Sequence, residues 1–193
     1  LYHTTEHPES TTATEETIQM VTEQNERLGK LVRTLLDMSE LQTVARNDRI
    51  EIHSLIEEVL TDLEPLAQEK KVELIQKSQE VREKADEVLF LTGSDILIYR
   101  MLYNLVENAI KYNHENGWVH VSLNADHKYF YLKVEDSGLG IPQEDQAHIF
   151  ERFYRVDKSH SREIGGTGLG LAIARNAVIV HRGSIKVHSN EGE

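Results

Sequence analysis

The sequence predicts an α+β protein: a two-layer α/β sandwich with a mixed, mostly antiparallel sheet, preceded by a long helix of the bundle or coiled-coil kind. Three observations carry this. Apolar residues recur at helical spacing before residue 45, two cleanly alternating strands lie next to each other at 119–125 and 130–136, and strand and helix patterns interleave from residue 50 onward. The chain has 193 residues, 39% hydrophobic and 28% charged, with a formal net charge of −12. That apolar content is enough for a core. No run is apolar enough to span a bilayer, the lack of Cys excludes disulfides and thiolate metal sites, and the acidic balance argues against a nucleic-acid binder.

Residues 1–12 are polar, carry Pro8, and read as a loop. From Ala13 to Val44 the pattern is helical: Ile18, Val21, Leu28, Val32 and Leu35 form a near-heptad seam that Asn25 interrupts, and Leu31, Leu36, Met38 and Leu41 widen it. Thr12 or Thr14 can cap this helix. At 1.5 Å per residue it would run roughly 45 Å, too long to bury its stripe on itself. Two arrangements follow: packing on its own domain, or half of a helical bundle with a dimer partner. The near-heptad period favours the bundle. The polar break Ala45 to Arg49 sets the boundary between residues 1–48 and 49–193.

Beyond it, Ile50 to His53 is a strand candidate, and Ser54 is expected to cap a helix reaching Lys70 that Pro65 bends. Val72 to Ile75 and Val88 to Leu91 are further strand candidates. Asp95 opens a helix through Tyr112. In the next two strands Val119, Val121, Leu123 and Ala125 share one face, as do Phe130, Leu132, Val134 and Asp136. A helix from Leu169 to His181 and a strand from Ser184 to Ser189 close the chain.

Chemistry concentrates in four places. Asn104, Asn108, Lys111 and Tyr112 stand at i, i+4, i+7 and i+8 on one helical stripe. Amide oxygens suit Mg²⁺, an ammonium suits phosphate and a ring suits a base; taken alone, a solvated polar face explains the stripe better. Asp136 alternates with core residues, where a carboxylate needs a donor, and it opens Asp136-Ser137-Gly138-Leu139-Gly140-Ile141-Pro142. A simple Asx turn explains its first glycine but not its second. Residues 150–162 hold four basic and two acidic side chains, a local positive field that would attract an anion. Finally, Gly165-Gly166-Thr167-Gly168-Leu169-Gly170-Leu171 precedes a helix whose N-terminus suits polyphosphate. It is neither a Walker loop nor a dinucleotide fingerprint, and alone it is a weak signal.

In this order the four segments resemble the ATP-binding domain of sensor histidine kinases. Asn104-Leu-Val-Glu-Asn108-Ala-Ile-Lys111-Tyr112 looks like that family's N box, and Asp136-Ser-Gly138-Leu-Gly140 like its first glycine box. Phe150 to Tyr154 resembles its F box and Gly166 to Leu171 its second glycine box. The resemblance covers residues 14–190. It implies a Bergerat-type fold, a left-handed βαβ sandwich that binds ATP and Mg²⁺ under a lid. By matching position, Asn108 would hold Mg²⁺, Asn104 would support metal and phosphate, and Lys111 would contact phosphate. Tyr112 would pack near the adenine and Asp136 would accept from its amino group, beside Gly138 and Gly140. Arg155 would reach the distal phosphate, and Gly166, Thr167, Gly168, Leu169 and Gly170 would form the lid. Asn104, Lys111 and Arg155 would serve catalysis. Asn104 also stands where gyrase- and chaperone-type ATPases carry a Glu base, so phosphoryl transfer is favoured over hydrolysis; Glu107 reads as ordinary.

The resemblance further implies a homodimer through the helical segment, a response regulator as partner, and a cytoplasmic part tethered to the membrane only through further N-terminal segments. The family's His-Glu/Asp-x-Lys/Arg-x-Pro acceptor segment matches none of the ten histidines, His7 and His114 included. The first bundle helix and a last Gly-Thr-x-Phe strand are expected outside these 193 residues. The same fold also serves gyrase- or chaperone-type ATPases and anti-sigma-type serine kinases.

Overall fold

A computed structural model of the chain describes residues 17–22, 24–25, 28–29, 32, 44–78, 89–126, 128–156 and 167–191. The chain divides into two compact units, Leu1–Gln42 and Thr43–Glu193. In the first, the described residues are helical, with Ile18, Met20, Val21, Leu28 and Val32 exposed. The rest of the expected helix, including its Thr12 or Thr14 cap, lies outside the described residues.

The second unit runs β1 (Asp48–Glu51), α1 (Ile52–Lys70), β2 (Glu73–Ser78), β3 (Phe90–Gly93), α2 (Asp95–Lys111), β4 (Trp118–Ala125), β5 (Phe130–Asp136) and α3 (Gly170–Val180). β1 pairs antiparallel with β3. β4 is the centre of a second sheet, parallel to β2 and antiparallel to β5, with Val119 opposite Asp136 and Ala125 opposite Phe130. The architecture is the expected α+β sandwich. The strand expected at Val88 to Leu91 forms two residues later, and Val88 itself lies outside the described residues.

α1 begins earlier than its sequence suggests. Its cap is not Ser54 but Glu51, whose carboxylate accepts from the N–H of His53 (3.0 Å) and Ser54 (2.6 Å). Its two oxygens take one first-turn donor each. The helix continues through Pro65 and ends at Lys71, in the left-handed region at φ 54°. Leu55, Ile56, Val59, Leu63 and Ala67 form its buried stripe.

α2 packs against both α1 and α3 and so forms the middle of the helical layer. Leu97, Met101, Leu102, Val106, Ala109 and Ile110 face the core, opposite Val119, Val121 and Leu123 of β4. Its N-terminus is capped from a distance: Asp48 of β1 accepts the Asp95 N–H at 3.1 Å. α3 buries mainly small residues, Ala172, Ala174 and Ala177 beside Ile173, which lets its backbone come close to α2.

His181, after α3, ties the two helices together. Its Nδ1 lies 2.7 Å from the Ala177 carbonyl, and its Nε2 accepts the N–H of the fully buried Ser94 at 2.9 Å. A carbonyl at Nδ1 requires the proton there and leaves Nε2 as the acceptor. A Cβ on Gly93 would come within 2.7 Å of this ring, so the position is glycine. His181→Ala strands a buried donor, at a cost of about 2 kcal/mol. A thermal melt should show a Tm several degrees lower; an unchanged Tm would show that water replaces the ring.

The strand expected at Ser184 to Ser189 is not formed. The segment's burial alternates, but no ladder pairs it. Its end is fixed by other means: Ser189 Oγ accepts the Ile141 N–H at 2.9 Å, and Gln146 Nε2 donates to the Ser189 and Ile141 carbonyls, each at 2.9 Å.

Candidate functional site

The site is assembled at the C-terminal half of α2, where one helical face meets two glycine turns. Asn104 and Asn108 are half-buried one turn apart. Asn104 Nδ2 donates to the Arg100 carbonyl at 2.7 Å, leaving its Oδ1 directed elsewhere. That oxygen lies 2.6 Å from where a Cβ on Gly170 would sit, so a larger residue at the start of α3 would displace the Asn104 side chain. The first motif and the last are thereby in contact.

Lys111 follows one turn after Asn108 and is held by Glu107, with Nζ to Oε1 at 2.7 Å and both side chains 25% exposed. Glu107, which reads as ordinary in the sequence, is thus the partner of Lys111, and a Glu four residues before a Lys on a helix is a recognisable pair. The Glu107 charge also acts backwards along the helix. Tyr103 is raised above its ordinary value, first by burial and then by Glu107 and Asp62. Tyr99, one turn earlier, is raised by burial and by its 2.5 Å hydrogen bond to Asp62, a link between α2 and α1.

Tyr112 ends α2 with an exposed ring. Its carbonyl accepts the Leu139 N–H at 3.0 Å, and a Cβ on Gly138 would strike that same carbonyl oxygen at 2.5 Å. Asp136 Oδ1 accepts the Gly138 N–H at 2.9 Å. The Tyr112 backbone, the Asp136 carboxylate and Gly138 thus meet at the end of α2. One expectation is corrected: Asp136 is exposed, not buried like a core residue. It is the last residue of β5 and pairs with Val119, one residue from the start of β4, so the ladder gives it no further cover. Gly140 has φ +72°, and a Cβ there would lie 2.1 Å from the Asn190 carbonyl oxygen.

Further along, the F-box and second glycine-box segments are joined through the backbone. Phe153, at φ +66° with its ring exposed, donates its N–H to the Gly168 carbonyl at 2.8 Å. Gly168 has φ +71°, and a Cβ on it would sit 2.8 Å from the Phe153 carbonyl carbon. Tyr154 donates its hydroxyl to Asp145, and this bond pushes the phenol up to about 12. Arg155 and Thr167 are half-buried. Leu169 is fully buried and its carbonyl accepts from the Ile173 N–H at 2.9 Å, in the first turn of α3. Gly166 lies outside the described residues. Among the described residues, no three His, Cys, Asp or Glu side chains group as a metal site.

Residues 93–193 match the family described as Histidine kinase-, DNA gyrase B-, and HSP90-like ATPase. Over 179 residues the chain is 35% identical to Sensor histidine kinase RppB of Synechocystis, covering 91% of this chain and 38% of that protein. It is 36% identical to Sensor histidine kinase WalK of Bacillus subtilis, covering 90% of this chain and 28% of that one. The chain therefore spans well under half the length of these relatives. Among solved structures, the catalytic domain of histidine kinase ThkA superposes with a TM-score of 0.57 at 27% identity, over 69% of this chain and 80% of that one.

Proposed function

Because this chain belongs to the histidine kinase-, DNA gyrase B- and HSP90-like ATPases, on the sensor histidine kinase side of that family, we propose that it binds ATP with Mg²⁺. In the whole protein it transfers the γ-phosphate to a histidine on another segment, for relay to an aspartate of a response regulator. The observation that carries this reading is the meeting of Tyr112, Asp136 and Gly138 at one end of the Asn104–Lys111 face.

Asp136 accepts the adenine amino group on the oxygen not used by Gly138, and the Tyr112 ring flanks the base. Lys111 has three N–H donors; Glu107 takes one and fixes the ammonium, and the others serve phosphate oxygens. Mg²⁺ fits this donor set, since hard amide, phosphate and water oxygens are the ligands it prefers. Asn108 holds it, Asn104 supports metal and phosphate, and the ion supplies neutralisation of phosphate charge. Gly166, Thr167, Gly168, Leu169 and Gly170 contribute backbone N–H groups, and Arg155 reaches the distal phosphate. Asn104 is a neutral amide and accepts no proton from water, so the site positions ATP for transfer without itself activating hydrolysis.

Residues 1–48 serve as a dimerisation segment and residues 49–193 as the nucleotide-binding part. The exposed apolar residues Ile18, Val21, Leu28 and Val32 support a second copy as the partner of that helix. No helix among the described residues is long and apolar enough to cross a membrane. We place this part in the cytoplasm of a receptor anchored through other segments.

The test uses γ-labelled ATP. The chain alone should take up no label and release phosphate slowly. With a relative whose own nucleotide site is disabled but whose acceptor helix is intact, acid-labile label should appear on that relative's histidine. Rapid phosphate release by the chain alone would instead identify a hydrolase.

A further inference from the structure

Resting on the nucleotide reading above, we propose that Asn113 and Ser137 are positioning residues for adenine recognition: they clip the end of α2 to the end of β5, so that Tyr112 and Asp136 keep their spacing. Each is the immediate neighbour of a residue assigned to the base. Asn113 follows Tyr112 and Ser137 follows Asp136.

The clip is built around the backbone of Trp118. Asn113 Nδ2 donates to the Trp118 carbonyl at 3.0 Å and to the Ala109 carbonyl, in the last turn of α2, at 3.1 Å. Asn113 Oδ1 accepts from the His114 N–H at 2.9 Å and from the Ser137 hydroxyl at 3.1 Å. The Ser137 hydroxyl accepts the Trp118 N–H at 2.8 Å, and the Ser137 N–H donates to the Trp118 carbonyl at 3.1 Å. With two donors opposite its oxygen and two carbonyls opposite its nitrogen, the amide has a single consistent orientation.

That arrangement uses the whole capacity of the amide, two N–H groups and two lone pairs. Asn113 therefore has nothing left for a ligand, and its role is to hold other groups. The fold makes room for it at a specific cost in side chain. A Cβ on buried Gly117 would lie 2.1 Å from Asn113 Oδ1 and 2.7 Å from Ser137 Oγ. Helix α2, the start of β4 and the end of β5 are thus joined by two side chains. The tolerance of a base–carboxylate hydrogen bond is a few tenths of an ångström, and misplacing a group by about 1 Å is enough to lose it.

The measurement compares binding of ATP and of inosine triphosphate, which carries a carbonyl oxygen where adenine has its amino group. The wild-type chain should prefer ATP. Ser137→Ala and Asn113→Ala should cut that preference about five- to tenfold, the loss of roughly one well-placed hydrogen bond. Ser137→Thr, which keeps the hydroxyl, should restore it. A purely structural role would lower Tm and depress both nucleotides alike. A wild-type ratio in Ser137→Ala, alongside a collapsed ratio in Asp136→Asn, overturns the positioning role. An unchanged ratio in Asp136→Asn overturns the nucleotide reading beneath it. If Asn113→Ala does not fold, the Ser137→Ala and Ser137→Thr pair decides the matter.

Discussion

Replacing Asp136 with Asn weakens ATP binding by about 10- to 100-fold, the worth of one charged hydrogen bond at roughly 1.5–3 kcal/mol. The argument lies in which oxygen is used. Oδ1 accepts the Gly138 N–H at 2.9 Å, so in the proposed site Oδ2 is the atom left to accept from the adenine amino group. In the Asn variant the turn keeps its acceptor, and an NH₂ group replaces Oδ2. A donor then faces the adenine amino group, itself a donor. Because Asp136 is exposed and the turn is preserved, Tm should hardly move. Calorimetric titration of folded variant gives the answer, and an unaltered Kd would remove Asp136 from the site.

The second large effect is on stability. Gly140→Ala introduces a Cβ 2.1 Å from the Asn190 carbonyl oxygen and 2.9 Å from its carbon, both backbone atoms. It also places an L-residue at φ +72°, a conformation costing roughly 1–2 kcal/mol. With overpacking of about 1–3 kcal/mol, the sum is a large part of the 5–15 kcal/mol that holds an ordinary domain together. A fall in Tm on the order of 10 °C is expected. The bonds of Ile141 and Gln146 to Ser189 should loosen with it, visible as faster amide exchange at Ile141. Gly183→Ala is the contrast, since its nearest neighbour would be a Val178 methyl at 3.0 Å; a comparable loss there would show that the Gly140 contact is not special.

Much of this was readable in the residues because it depends on local periodicity. The α2 face from Asn104 to Tyr112 and the inward set Val119, Val121 and Leu123 follow from 3.6- and 2-residue repeats that burial enforces. What escaped depended on side-chain rotamers and on which elements become neighbours. Glu51 displaces Ser54 as a cap because its side chain folds back onto two donors, a choice of rotamer that composition does not encode. Asp136 has the alternation of a core residue, but whether a strand end is covered is decided by neighbouring elements. Nothing in the sequence marks Asn113, whose role exists only once Trp118 and Ser137 stand beside it. For Ser184 to Ser189, strand-like alternation was present without a ladder partner, and a strand is made by the partner.

The bond from the Phe153 N–H to the Gly168 carbonyl has a consequence for how such chains can diversify. It holds Phe153, at φ +66°, against Gly168, at φ +71°, so two residues in the left-handed region support each other's backbone. A Cβ on Gly168 would press on the Phe153 carbonyl carbon at 2.8 Å, and a residue other than Phe at 153 must still accept a positive φ. The two positions therefore vary as a pair, because a change at either moves the backbone on which the other rests.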